Sequence, residues 1–223
     1  MKAHNTLIVA ASRREAESLK DYFAQAGPAS KLKIPVLVTG VGSVNTLWSI
    51  MDYLAKNPAP SLILNIGIAG SYKREIKLGE LVLVSDDCFG DLGVEDGENF
   101  STVFEAGLAG SNEYPFVDGK LYPDNTLLNM LKEEYRAVSG ITVNKVTGSR
   151  VSMERMKKKF NADIESMESA AVYYVAAREN IPAIGIRSVS NYVEARDRDK
   201  WDIDLALSRL GSALTNILNK LYH

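Results

Sequence analysis

Ser169-Ala-Ala-Val-Tyr-Tyr-Val-Ala-Ala-Arg178, followed after a short break by Ala183-Ile-Gly-Ile-Arg-Ser-Val189, decides the fold of this chain. The first run reads as a helix, the second as a strand apolar on both faces, the mark of a sheet covered on two sides. Working outward, the same alternation recurs. Thr6–Ala11 reads as a strand and Arg13–Gln25 as a helix; Ile34–Val38 and Val44–Lys56 repeat the pair. Leu62–Ile66 and Leu81–Ser85 are further strands, and the segment from Asp86 to Pro123 is loop-rich. Asn125–Tyr135 reads as helical, Ile141–Thr147 as extended, and Ile203–Leu221 as a closing amphipathic helix. Strands alternating with helices predict an α/β architecture with helices on both faces of a largely parallel sheet. With no internal repeat, low-complexity tract or linker, residues 1–223 read as one domain.

Of the 223 residues 46% are hydrophobic and 24% charged, enough to bury a full core. A net charge of −2 supplies no basic field and argues against a nucleic-acid partner. The lone Cys88 excludes an intrachain disulfide and fits a reducing compartment. Met1-Lys-Ala-His-Asn-Thr6 leads into a short strand without a long apolar segment, so neither a signal peptide nor a membrane span is expected. A cytoplasmic location is the expectation. His4 and His223 lie at the chain's ends, which argues against a catalytic or metal-binding histidine, and the usual zinc ligand sets are missing. Acid–base chemistry then falls to carboxylates, tyrosines or amides, and no metal, flavin or nicotinamide cofactor is implied.

Several motifs carry competing readings. Ser12-Arg-Arg-Glu15 is either a helix capping box or a site for Glu15 as a general base, and a carboxylate committed to the cap could not also take a proton from water. Gly40-Val-Gly42-Ser-Val-Asn45 mimics a dinucleotide fingerprint but lacks its third glycine and the distal acid, so it reads as a tight turn. Asn65-Ile-Gly67-Ile-Ala-Gly70-Ser71 reads as a strand ending in a small-residue turn, without the Gly-Lys-Ser/Thr of a triphosphate loop. The acids of Asp86–Glu98 miss the calcium-loop spacing, and Arg196–Trp201 reads as an exposed charge run. Met167, Glu168 and Asn191 each have an ordinary role available, as core residue, helix-start acid and turn residue. Together, Ile164-Glu-Ser-Met-Glu168 and Ile186-Arg-Ser-Val-Ser-Asn191 offer what a nucleoside site needs. Those needs are an apolar face for the sugar, a carboxylate for its vicinal hydroxyls and a polar group for the purine edge.

On those two motifs, with Ala10-Ala-Ser-Arg-Arg-Glu15, Thr39-Gly-Val-Gly42 and Asn65–Gly70, the chain resembles the purine nucleoside phosphorylase and hydrolase superfamily over nearly its whole length. The resemblance implies a three-layer α/β/α sandwich around a twisted mixed sheet. It is closest to the nucleosidase branch that includes methylthioadenosine/S-adenosylhomocysteine nucleosidase. Within that branch, Phe89-Gly-Asp-Leu-Gly-Val-Glu-Asp-Gly97 and Ser190-Asn-Tyr-Val193 are similar to the futalosine hydrolase family of an alternative menaquinone route.

The roles that the resemblance implies are carried position by position. Glu15 matches the carboxylate that activates water, and Arg187 an arginine near that water. Glu168 matches the acid that binds the ribose hydroxyls, Met167 the side chain packed on the sugar, and Ile68-Ala69 the ribose-side turn. Val151 and Ser152 match the stretch flanking the purine, though Val151 stands where the adenosine-cleaving enzymes carry an aromatic residue. Ser190 and Asn191 match the base-binding end. Asn191 replaces the aspartate of the adenosine-type enzymes, and an amide offers a donor to a 6-oxo group and an acceptor to a protonated N7. The implied reaction is hydrolysis of a small-molecule purine nucleoside with hypoxanthine leaving. Arg150, Arg196 and Arg198 are candidates on charge for the substrate's benzoate. The branch implies a homodimer or higher homo-oligomer, with segment 86–110 closing a partner's site. An inosine or methylthioadenosine nucleosidase, a phosphorylase and a non-catalytic nucleoside sensor are the alternatives.

Overall fold

The computed structural model describes residues 5–20, 23–24, 34–97, 99–195 and 197–222. Nine strands alternate with helices among them: β1 (Thr6–Ala10), α1 (Arg13–Glu17), β2 (Val36–Val38), α2 (Ser43–Lys56), β3 (Leu62–Ser71) and β4 (Leu81–Asp86). The hairpin β5 (Gly93–Asp96) and β6 (Asn99–Thr102) follows, then α3 (Asn125–Leu131), β7 (Arg136–Thr142), α4 (Arg150–Phe160) and β8 (Ile164–Ser166). The chain closes with α5 (Ser169–Arg178), β9 (Ala183–Tyr192) and α6 (Ile203–Tyr222). No helix of the described residues is long and apolar enough to cross a membrane.

The sheet is mixed, as the resemblance implies. β1 pairs in parallel with β2 and β3, β3 with β9, and β4 and β8 each with β7. The β4–β9 and β3–β8 pairs are antiparallel. Because β3 pairs with both β9 and β8, strands β3, β9, β4, β7 and β8 close into a ring, a feature that the run of apolar segments does not reveal. Alternate residues of the central strands feed two cores. Leu7, Val9, Ile63, Ala183 and Val189 join the core that also holds Ile50 of α2 and Val172 and Val175 of α5. Ile8, Ala10, Leu64, Ile66, Ile184 and Ile186 meet Leu210, Leu214, Ile217 and Leu221 of α6 and Leu127 of α3. That is a helix layer on each face, with the spacing of one apolar stripe along α6.

Several elements depart from the sequence expectation. β3 runs on through Gly67–Ser71, which reads as a turn, because those small residues pair with β9 and β8. The extended segment expected at 141–147 begins instead at Arg136 and ends at Thr142. α4 has a single fully buried residue, Met156, on an otherwise charged stretch, so no apolar stripe announces it. Of the helix expected over 13–25, α1 ends at Glu17, and residues 21–22 and 25 lie outside the described residues, as do His4 and His223.

Candidate active site

The ends of β1, β3, β8 and β9 and the start of α6 surround a cavity of about 300 Å³. Glu15, Ile68, Ala69, Met167, Glu168, Ser190 and Asn191 all line it. The walls are mainly apolar, with Val41, Val146, Val193, Trp201, Ile203 and Leu207 among the lining residues. A small-molecule site of this size with a few convergent polar groups is the usual form of a catalytic pocket.

Glu15 forms the capping box that the sequence allows and also lines the cavity. Its Oε2 accepts from the Ser12 N–H (2.8 Å) and the Ser12 hydroxyl (2.8 Å), completing a capping box in which Ser12 Oγ accepts from the Glu15 N–H (3.3 Å). Its Oε1 accepts from the Ile68 N–H (3.2 Å). A carboxylate has about four lone-pair positions, so three donors leave one acceptor site open. The cap therefore orients Glu15 without consuming it. Gly67 makes this approach possible, because a Cβ there would stand 2.7 Å from Glu15 Oε1.

Glu168 sits at the N-cap of α5 and bonds into a different element: its Oε1 accepts from the Gly42 N–H (3.0 Å). Gly42 has φ of +92°, a conformation that suits glycine, so the turn mimicking a dinucleotide fingerprint serves instead to aim a backbone donor. Burial pushes the Glu168 carboxyl up, and Glu15 adds to the rise, while the Gly42 N–H and the Arg187 charge oppose it.

Asn191 owes its position to a bulge. Ala69 pairs with Val189 but Gly70 pairs with Asn191, leaving Ser190 unmatched on β3. In a regular strand successive side chains face opposite sides; the extra residue lets Ser190 and Asn191 both line the cavity. The Ser190 hydroxyl donates to Asn191 Oδ1 (2.8 Å), and Asn191 Nδ2 donates to the Tyr192 carbonyl (3.1 Å). That leaves the amide one acceptor position and one N–H for a ligand.

Three expected residues do not line the cavity. Arg187 is 1% exposed, and its guanidinium donates to the Asn65 carbonyl (2.9 Å), Asn65 Oδ1 (2.5 Å), the Ile186 carbonyl (3.0 Å) and Ser169 Oγ (2.8 Å), behind the wall. Val151 is 79% exposed on α4, and Ser152 lines a neighbouring hollow. The segment that reaches the cavity is Val146-Thr147, held by Glu165, whose oxygens accept from the Thr147 N–H (2.8 Å), the Thr147 hydroxyl (2.5 Å) and the Tyr72 hydroxyl (2.6 Å). Nothing in the local pattern marks Val146, Thr147 or Trp201; Glu165 stands within the Ile164–Glu168 motif. Arg14 also lines the cavity, in an exposed ion pair with Asp204 (2.7 Å). Arg150 is exposed at the start of α4, and Arg196 and the Arg198 side chain lie outside the described residues.

A family model described as the phosphorylase superfamily matches residues 9–221. The chain is 30% identical over 182 residues to a futalosine hydrolase of Thermus thermophilus, covering 82% of this chain and 80% of that protein. It is 27% identical over 207 residues to a 5'-methylthioadenosine/S-adenosylhomocysteine nucleosidase of Buchnera aphidicola, covering 88% and 77%. Among solved structures, futalosine hydrolase of Helicobacter pylori superimposes with a TM-score of 0.79 at 16% identity, over 96% of this chain and 97% of that one, a likeness of fold.

Proposed function

For a chain that belongs to the phosphorylase superfamily, we propose hydrolysis of the N-glycosidic bond of futalosine, releasing hypoxanthine and the dehypoxanthinyl sugar. The observation that carries this reading is the amide of Asn191 in a mainly apolar cavity that also holds the carboxylates Glu15 and Glu168. The similarity to futalosine hydrolases supports it. As the bond breaks, positive charge develops on the sugar and negative charge on the base, which takes up a proton from solvent to leave as hypoxanthine, while the proton Glu15 takes from water returns to solvent. Asn191 meets the base at O6 and N7, Glu168 accepts from the ribose hydroxyls, and Met167 packs on the sugar. Glu15 takes a proton from the water that attacks the anomeric carbon, through the lone pair its three donors leave open. Arg187, fixed behind the wall, acts on the site through its charge; Ile68, Ala69 and Ser190 shape the sugar and base ends. Arg13 lies beyond the cavity lining and Arg14 is paired with Asp204, so no arginine cluster waits for phosphate among the described lining residues.

The substrate places the enzyme on a route to menaquinone, and the single cysteine fits a cytoplasmic setting. Residues 1–223 act as one domain. We also propose a homodimer. Val44 (76% exposed), Trp48 (72%) and Met51 form an apolar stripe along α2, and Leu47 continues it into a groove lined by Leu92, Val103 and Leu108 from the 86–110 segment. An uncovered stripe of this kind marks an interaction surface. The functional reading is tested by measuring base release from futalosine, aminofutalosine, inosine and methylthioadenosine, each with and without phosphate. Preferential, phosphate-independent hypoxanthine release from futalosine is expected. Cleavage that requires phosphate overturns hydrolysis, and a preference for methylthioadenosine overturns the assignment of the base.

A further inference from the structure

Besides Glu15, Glu165 and Glu168, a further buried carboxylate lies outside the cavity lining and has no part in the chemistry above. Asp87 follows β4 and is 1% exposed. Its Oδ1 accepts from the Thr142 hydroxyl (2.8 Å), and Thr142 Oγ1 accepts in turn from the Ala170 N–H (2.9 Å), two residues beyond Glu168. Its Oδ2 has no hydrogen-bond partner among the described residues and rests over Gly140, where a Cβ would stand only 2.5 Å away. An unpartnered buried acceptor of this kind costs more free energy ionised than protonated. Burial accordingly pushes the Asp87 carboxyl up to about 7, against the pull of the Thr142 hydroxyl and the Arg187 charge.

The charged and titratable groups around Asp87 come from several elements. Asp86, its neighbour on the chain, is bound to Lys120 (2.6 Å) and to the Ser139 hydroxyl (2.7 Å). Cys88, on the other side, has its thiol pushed up to about 12 by burial. Tyr173 of α5 donates to the Val84 carbonyl (2.7 Å), and burial pushes its phenol up as well. β7 contributes the uncharged Gly140 and Thr142, and β9 contributes Arg187. The Arg187 charge lowers both Asp87 and Glu168, yet among the described residues its guanidinium bonds only to carbonyl, amide and hydroxyl oxygens. Glu15 Oε1 and the Arg187 guanidinium carbon also flank one point, at 2.7 and 3.7 Å from where a Gly67 Cβ would stand. One buried cation thus stands beside Glu15 at Gly67 and acts by its charge on both Glu168 and Asp87.

We propose that Asp87 is a positioning residue of the sugar site. Protonated, it leaves the Arg187 charge to Glu168; ionised, it draws on the same charge and loosens the hold of Glu168 on the sugar hydroxyls. This rests on the reading of Glu168 as the sugar-binding carboxylate. Nucleoside binding and the Asp87 proton are then linked and must favour each other by the same factor. A coupling of ordinary size is worth about fivefold or more.

The test uses formycin B, an inosine analogue with an uncleavable carbon–carbon link, and the full-length protein. Kd is measured by calorimetry at pH 6.0 and about pH 8.5 for the wild type, Asp87→Asn and Thr142→Val, with the Asp87 carboxyl followed by carbon NMR. For the wild type, Kd is expected to rise about fivefold or more across that range. In Asp87→Asn the rise is expected to vanish. In Thr142→Val, which removes the donor to Oδ1, the Asp87 midpoint and the rise in Kd are both expected to move to higher pH. Thr142→Val serves on its own if Asp87→Asn does not fold. Parallel pH dependence in all three proteins, or an Asp87 carboxyl that titrates in the usual carboxylate range, overturns the proposal while leaving the sugar site intact. No binding by the wild type at either pH removes the sugar-site reading itself, and the proposal with it.

Discussion

Replacing Glu15 by glutamine separates the capping role that the structure shows from the proposed role as general base. With the amide oxygen turned to Ser12, glutamine keeps both acceptor bonds of the capping box, from the Ser12 N–H and hydroxyl. Its NH₂ then faces the Ile68 N–H, which donates 3.2 Å to Oε1 in the native chain, so one hydrogen bond is lost and two donors meet. A lost bond of this kind costs about 0.5–1.5 kcal/mol, or up to about 3 kcal/mol with the N–H left buried. In a chain of this length about 1 kcal/mol lowers Tm by roughly 2–4 °C. The catalytic loss is of another order. An amide cannot take a proton from water, and general-base catalysis is worth about 10²–10⁴-fold, so kcat is expected to fall by that factor. The assay is steady-state hypoxanthine release together with a thermal melt on the same preparation. A kcat within about threefold of wild type, alongside the expected loss of Tm, would show that Glu15 only caps α1 and would refute the base assignment.

Three further outcomes follow from the geometry. Asn191→Asp removes the N–H that would meet a 6-oxo group, so the kcat/KM ratio of 6-oxo to 6-amino nucleosides should fall by about tenfold or more, and an unchanged ratio contradicts the role of the amide. Asp87→Asn should change the pH dependence of stability. Because the folded state raises this carboxyl to about 7, it holds a proton that the unfolded chain has already released, and native stability falls as pH rises from the ordinary carboxylate range to about 7. Asparagine should remove that decline, up to about 4 kcal/mol in denaturant titrations compared at pH 4 and pH 8, whereas parallel curves refute the buried proton. Trp48→Glu places a charge in the exposed stripe of α2 and should leave a monomer in light scattering where the wild type gives the mass of the proposed dimer, and an unchanged mass rules out that face.

Much of the architecture is legible in the sequence because β1, β3 and β9 are buried on both faces, which forces short continuous apolar runs and makes them stand out. The capping box is legible for a similar reason: Ser12 and Glu15 meet within one helical turn. α4 escapes notice because its sequence is governed by charge, and the closure of the ring depends on β8, three residues long. The site is legible where motif and strand end coincide, at Glu15, Glu168 and Asn191. It is hidden where a long-range contact decides the matter. Val146 and Thr147, rather than Val151 and Ser152, reach the cavity because β7 stops at Thr142 and Glu165 pins the loop that follows. The Gly42 N–H finds Glu168 across 126 positions of sequence, a pairing that no local pattern encodes. The Ser190 bulge likewise appears only once β3 and β9 are paired.

The central claim, that water opens the glycosidic bond of futalosine in this cavity, is met most directly by turnover of futalosine in H₂¹⁸O without phosphate. The account predicts hypoxanthine without label and a sugar product carrying one ¹⁸O at the anomeric carbon. No product until phosphate is added, with the sugar recovered as its 1-phosphate, would contradict it.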